Sequence, residues 1–194
     1  MNERHEPDQM IELGLQGKNV ISLPGKSPVI DEGAYVNPYA LVIGDVRLER
    51  DVSLWPGVII RADDASVTVR EGSAVLDKAF IEAPEGHDVV IGPGALVSHG
   101  AIVHGGAVEE GALVGIGAVV LEGARIGRGS IVGAGAVVPP GRVIGDGMLA
   151  LGIPAKEVRP LTDEEKANTR EQLEKVREKA SEYGTYYVIG KGML

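Results

Sequence analysis

Residues 107–148 read AVEEGALVGIGAVVLEGARIGRGSIVGAGAVVPPGRVIGDGM, and a period of six runs through them. Val108, Val114, Val120, Ile126, Val132, Val138 and Ile144 stand six residues apart, and Gly or an acid often follows. Four residues after each come Ala112, Ala118, Ala124, Ser130, Ala136, Arg142 and Met148, most of them small. Upstream, Ile91, Val97 and Val103 keep the step, with Ala95, Ala101 and Ala107 at the small position. A helix repeats its apolar residues every three or four positions and an amphipathic strand every two, so neither produces this pattern. A coil of short strands does. Three hexapeptides close a triangular turn, and successive turns pair strand on strand about 4.8 Å apart. The branched residue fills the interior, the small one fits a corner, and glycine permits the bends.

This pattern predicts an all-β solenoid over residues 28–158, a parallel β-helix of hexapeptide repeats. An N-terminal arm over 1–27, with the patch Val20, Ile21 and Leu23 and the turn Pro24-Gly25, precedes it as an arm or first strand. A C-terminal α-helix and tail follow over 159–194. Residues 161–182 are densely charged, whereas residues 111–137 carry only Glu122, Arg125 and Arg128. Thr162 followed by Glu165 reads as a capping box behind Pro160. Ala167, Leu173, Val176, Ala180 and Tyr183 make a narrow apolar stripe that suits docking on a solenoid face. An extended tail with Tyr186, Tyr187, Val188 and Ile189 follows.

Composition agrees with a solenoid. Of 194 residues 28 are glycine and only 4% are aromatic, so the interior needs branched aliphatics and tight bends rather than rings. The net charge of −9 disfavours nucleic-acid and anionic-membrane surfaces, which need clustered Lys and Arg. Residues 89–108 are uncharged for the length of a membrane span but contain Gly-Pro-Gly, Ser-His-Gly and His-Gly-Gly, which fit a soluble strand region. The polar N-terminus lacks the apolar stretch of a secretory signal, which points to the cytoplasm. The absence of cysteine excludes disulfides, thiolate metal sites and a Cys nucleophile, leaving metal binding to His and carboxylates.

The histidines are His5, His87, His99 and His104. His104 follows the repeat residue Val103 as Glu82 follows Ile81, with residues 83–90 holding about four extra residues as a loop. Glu82 and His104 are therefore expected to stack on adjacent coils about 5 Å apart, facing the same way. His99, one hexapeptide earlier, belongs to a different face and reaches the same ion only from a neighbouring subunit. His87, with Glu85 and Asp88 in the extra loop, is a further shuttle or ligand position. Trp55 and Phe80 read as packing residues. Gly-x-Gly strings such as those at Gly127 and Gly133 recur at the repeat period and are corner residues, not a dinucleotide fingerprint.

Leu54-Trp-Pro-Gly-Val-Ile-Ile-Arg-Ala-Asp63, the His99 and His104 segment, Gly133-Ala-Gly-Ala-Val-Val-Pro-Pro-Gly141 and Leu151-Gly-Ile-Pro-Ala-Lys-Glu-Val-Arg159 together resemble the γ-class carbonic anhydrase family of left-handed β-helix proteins. The resemblance implies a homotrimer acting on a small-molecule substrate. It implies a metal at each subunit interface, held by two histidines of one chain and one of its neighbour. It also implies roles in interface and pocket polarity for Arg61 and Asp63, with Asp77 as their partner, and a proton shuttle at Asp64. On this chain the ligand set becomes Glu82, His99 and His104. The departures are Glu82 where the family has its first ligand histidine, Leu76 at its pocket glutamine, and Glu174 and Val176 where the family's helix often carries Asn and Tyr. A His/His/Glu set suits Zn(II) and also Fe(II). Its anionic ligand lowers the net site charge and raises the pKa of bound water relative to three histidines. CO2 hydration is then expected to be weak, or replaced by hydration or hydrolysis of a CoA thioester or unsaturated acid. A non-catalytic trimeric scaffold and a hexapeptide acyltransferase are the alternatives.

Overall fold

A computed structural model describes residues 19–189. His5 and the rest of residues 1–18 lie outside the described part, as do residues 190–194 of the expected tail. The repeat folds as a left-handed parallel β-helix with one C-terminal helix. Each coil contributes a short strand to each of three faces, and equivalent residues of successive coils pair in register. On the first face Val42, Ile60, Ile81, Val103, Val120 and Val138 stack inward. The second stacks Leu48, Val69, Ile91, Val108, Ile126 and Ile144, and the third Leu54, Val75, Val97, Val114, Val132 and Ala150. All are buried, and each Val or Ile removed from water contributes roughly 1.5–3 kcal/mol. These ladders are the core.

Ala112, Ala118, Ala124, Ser130 and Ala136 sit buried at corners, whereas Arg142 is exposed near the open end. Ser130 satisfies its hydroxyl there by donating to the Gly145 carbonyl at 2.5 Å and accepting from the Met148 amide at 3.0 Å. Neighbouring coils approach so closely that a Cβ on Gly115 would fall 2.6 Å from the Val132 carbonyl oxygen. That contact, rather than phosphate binding, accounts for glycine there.

The period breaks at the corner between the first and second faces. Residues 83–88 protrude between strands Phe80–Glu82 and Val89–Ile91. One coil earlier, the pairing jumps from Gly44 with Ala62 to Val46 with Val67, so residues 63–66 oppose Asp45 alone. One coil later, the step from Val103 to Val108 is five rather than six. Val20–Ile21 pairs in parallel with Val42 and Ile43, so these residues form a strand of the first face. At the other end Met148–Gly152 and Ala155–Pro160 form an antiparallel pair that closes the third face.

The helix spans Asp163–Ile189; residues 184–189, expected as extended tail, continue it. The Thr162 amide donates to Glu165 at 2.8 Å and the Glu165 amide to the Thr162 hydroxyl at 3.2 Å, which is the capping box. The helix packs on the third face, whose outward residues Ser53, Ala74 and Leu96 are buried. Leu173 and Ala180 are buried and Val176 half-buried, but Ala167 is exposed, contrary to expectation. The half-buried Thr169 holds that turn of the stripe, because the docked face is set by where the helix crosses the coils. Arg177 donates to the Gly72 carbonyl at 2.7 Å, and Trp55 lies between Tyr35 and Tyr183. No described helix is long and apolar enough to cross a membrane.

Arg159, then the Thr162 amide, hold the Glu165 carboxyl down at about 2, against 4.5 ordinarily. Because the folded value is the lower one, the contribution of Glu165 is complete above its ordinary range and is lost as pH falls toward 2. Far-UV circular dichroism should show acid fraying of the helix between about pH 4.5 and 2, a step absent from Glu165→Gln.

Candidate functional site

The corner between the first and second faces gathers the polar residues of greatest chemical interest. Strand register places Arg61 beside Glu82 and Glu82 beside His104 on three consecutive coils. All point outward, since the alternate residues Ile60, Ile81 and Val103 point in. Arg61 Nη2 donates to Glu82 Oε1 and its Nη1 lies 3.6 Å from Asp63 Oδ2. Glu82 Oε2 stands 3.2 Å from His104 Nδ1, and the other ring nitrogen stands 3.1 Å from Glu122 Oε1. The result is a line of alternating charge capacity, Arg61, Glu82, His104, Glu122, along one edge of the solenoid. The Glu82 side chain is the most buried of the four, at 14% exposed, so its charge depends on Arg61 for compensation.

The period breaks build a ridge beside this line. Asp88 accepts from the Ser66 amide at 2.9 Å and the Ser66 hydroxyl at 2.8 Å. Those bonds, the amide first, hold its carboxyl below the usual range and tie the 83–88 loop to the 63–66 protrusion. Lys26 donates to the backbone carbonyls of Asp63 and Asp64 at 2.5 and 2.9 Å. Asp64 and His87 are exposed. His87 lies over the shortened corner, where a Cβ on Gly105 would meet His87 Cβ at 2.9 Å. Arg61 Nε and Asp63 Oδ1 are buried without a hydrogen-bond partner among the described residues, which leaves polar capacity for a group from outside the chain.

His99 occupies the other edge of the first face, in the turn between Leu96–Val97 and Ile102–His104. Its Nδ1 stands 3.0 Å from Asp77 Oδ2. Within one chain Asp77 therefore pairs with His99, not with Arg61 or Asp63. Leu76, beside it, is buried. Glu174 is exposed on the helix and Val176 packs toward the core. Among the described residues, no three His, Asp or Glu side chains of one chain are grouped to hold a metal. Glu82 and His104 come together; His99 does not join them. Repeat arithmetic does not single out Glu122. The five-residue step puts it one place past register with His104, although its spacing of three hexapeptides from His104 is a readable signal.

Gly105 has φ +71 beneath Pro84 and His87, whereas Gly129 has φ +60 with open space around it. Gly129→Ala should cost about 1–2 kcal/mol of backbone strain. Gly105→Ala should lower the denaturation midpoint further, because the 83–88 loop must also move.

Residues 107–140 match the family model described as "Bacterial transferase hexapeptide (six repeats)". A protein named Carbonic anhydrase from Geobacillus kaustophilus is 35% identical over 163 residues, 84% of this chain and 87% of its own. Gamma carbonic anhydrase 1, mitochondrial, of Arabidopsis thaliana is 34% identical over 100 residues, and this match spans 36% of that protein's length. Among solved structures, a hexapeptide transferase family protein from Anaplasma phagocytophilum superposes with a TM-score of 0.81 at 30% identity, over 85% of this chain and 98% of that one. Repeat, fold and these likenesses agree: the chain belongs to the γ-carbonic anhydrase-like family of hexapeptide-repeat proteins.

Proposed function

We propose that the protein is a trimeric metalloenzyme that activates water for attack on a small substrate, with Glu82 and His104 of one chain and the His99 of a neighbouring copy as ligands. The observation that carries this reading is the pairing of Glu82 with His104 on adjacent coils. A carboxylate oxygen and an imidazole nitrogen face one another there in a sheltered corner. The donors fit Zn(II) or Fe(II). His99 suits the third place, because Asp77 engages its Nδ1 and leaves Nε2 for a metal, the usual carboxylate–histidine arrangement. A metal so bound supplies a Lewis acid that brings the pKa of water toward neutrality.

The outward rows support the trimer. The third face is covered by the helix, and the second exposes a mixed row including Arg47, Thr68 and Arg125. The first face presents Leu41, Ile59, Phe80, Ile102, Val119 and Val137 in one ladder, with Ile59 and Ile102 more than a third exposed. A continuous apolar ladder of that kind marks an association surface. A cyclic trimer joins two different edges of the same molecule, so the His99 edge of one copy can meet the Glu82 and His104 edge of the next.

At the proposed interface site the chain's own residues work against fast CO2 hydration. Glu82 adds negative charge, Leu76 offers no hydrogen bond, and Arg61 with Asp63 keeps polar atoms ready for an anionic substrate group. Hydration or hydrolysis of a CoA thioester or unsaturated acid fits such a pocket as well as CO2 does. Acyl transfer is the second reading, favoured by the transferase names of the matching family and of the similar structure. Acetyl transfer from acetyl-CoA that persists in chelator would support it over metal chemistry.

Sedimentation with metal analysis of the purified protein tests the proposal. A trimer with near-stoichiometric metal is expected, and Ile102→Glu should lose trimer and metal together. A metal-free trimer indifferent to Glu82→Ala would instead support a scaffold. The double variant Glu82→His with Leu76→Gln should raise CO2 hydration at neutral pH by about tenfold to hundredfold.

A further inference from the structure

We infer that the cleft between the helix and the third face, beside His99, holds the unreacting tail of an elongated substrate, an uncharged aliphatic chain bearing an amide or hydroxyl group. The cleft follows from one row of corner residues. Register along the third face turns Leu54, Val75, Val97, Val114 and Val132 inward, so the residues after them, Trp55, Leu76, Ser98, Gly115 and Gly133, line the corner with the first face. Trp55 and Leu76 fill their part of the row with buried side chains. At Gly115 and Gly133 the side chains stop, and a space of about 330 Å³ opens between coils and helix, at the lower end of the range for small-molecule sites. Leu113 and Ile131 wall it, and Ile116, 59% exposed, forms its rim. Leu151 leans over Gly133 and closes the far end. From Ser98 to Gly133 is two coil steps, about 10 Å.

Ser98 lines this space at 7% exposed, and its hydroxyl has no hydrogen-bond partner among the described residues. A hydroxyl donates and accepts, and one left unpaired in a buried place is a position for a group from outside the chain. The side-chain amides of Asn168 and Gln172 border the same space from the helix. The one ionisable group of the lining, Glu165, is already engaged by Arg159 and the Thr162 amide. Neutral donors and acceptors over aliphatic walls suit an uncharged chain, because a carboxylate or ammonium would lose hydration with no free counter-charge. His99 directly follows Ser98 and heads the next row out, above Ile116 and Ala134: the Gly117 amide donates to the His99 carbonyl at 3.0 Å and the Gly135 amide to the Ile116 carbonyl at 2.8 Å. A tail seated in the cleft therefore leads to the residue proposed as a metal ligand. In that respect the inference rests on the proposed function, and it narrows the substrate from CO2 to a molecule with a tail.

The test titrates hexanamide into the full-length protein and follows the methyl resonances of Leu113, Ile116 and Ile131. Saturable shifts of these methyls are expected, with hexanoate binding more weakly than hexanamide. Ser98→Val, which keeps the shape and removes the hydroxyl, should weaken hexanamide binding about two- to tenfold, and Ser98→Thr should restore it. Methyls that do not respond would overturn the inference. So would a Ser98→Val protein that binds as wild type does, or hexanoate binding the tighter of the two. Protein loaded with Co(II) should broaden the resonances of bound hexanamide beyond the Zn(II)-loaded protein, because the cleft leads to His99. Equal broadening in the two would separate the cleft from the metal and overturn its role as a tail site. The two readings fail separately: a trimer that carries metal but takes no hexanamide sinks the cleft alone, whereas hexanamide binding to a protein that takes up no metal sinks the metalloenzyme proposal and leaves the cleft as a site for this class of ligand.

Discussion

The strand-on-strand register of the coils is the constraint on which everything else rests. Parallel pairing holds successive coils about 4.8 Å apart, so any residue chosen at one position is repeated as a neighbour one coil later. Inside, this converts a six-residue sequence period into continuous ladders such as Val103, Val120 and Val138, with little need for aromatic rings. Outside, it converts three dispersed residues, Arg61, Glu82 and His104, into one contiguous line.

A uniform solenoid has three nearly equivalent faces, and the protein makes them different. The helix covers the third face and fills its surface with Leu173, Val176 and Ala180. The first stays open and apolar, and its two edges carry different chemistry: the His99 and Asp77 pair at one, the Arg61 to Glu122 line at the other. The polar edge is also where the period is broken three times in succession. These irregularities are mutually supporting, since Ser66 holds Asp88 and the 83–88 loop lies over Gly105. Local breaks concentrated beside a functional candidate are where a regular fold departs from its own rule.

Much of this site is legible before folding. The positions of Glu82 and His104 directly after Ile81 and Val103 give their adjacency by counting, once the extra loop is recognised, and Thr162 with Glu165 gives the helix start. What counting misses has a physical cause in each case. Glu122 is displaced by the single five-residue corner, so its contact with His104 depends on side-chain reach. The Ser66 to Asp88 bonds join two irregular segments that no repeat relates. Ala167 is exposed because the helix face that meets the solenoid runs through Thr169, Leu173, Val176 and Ala180, a choice made by contact with the third face and not by the helix's own periodicity.

The sequence by itself determined the solenoid, its interior and the identity of the residues outside it, because a six-residue period has few other ways to bury its branched side chains. It also determined that carboxylates and histidines carry whatever metal chemistry the chain has, since it holds no cysteine. Only the tertiary structure decided that Asp77 belongs to His99, that Arg61 neutralises Glu82, that Glu122 closes the line at His104, and which face the helix leaves open. Those are contacts between coils and across corners, and they depend on where insertions and one deletion fall relative to the 4.8 Å stacking that the period alone treats as uniform.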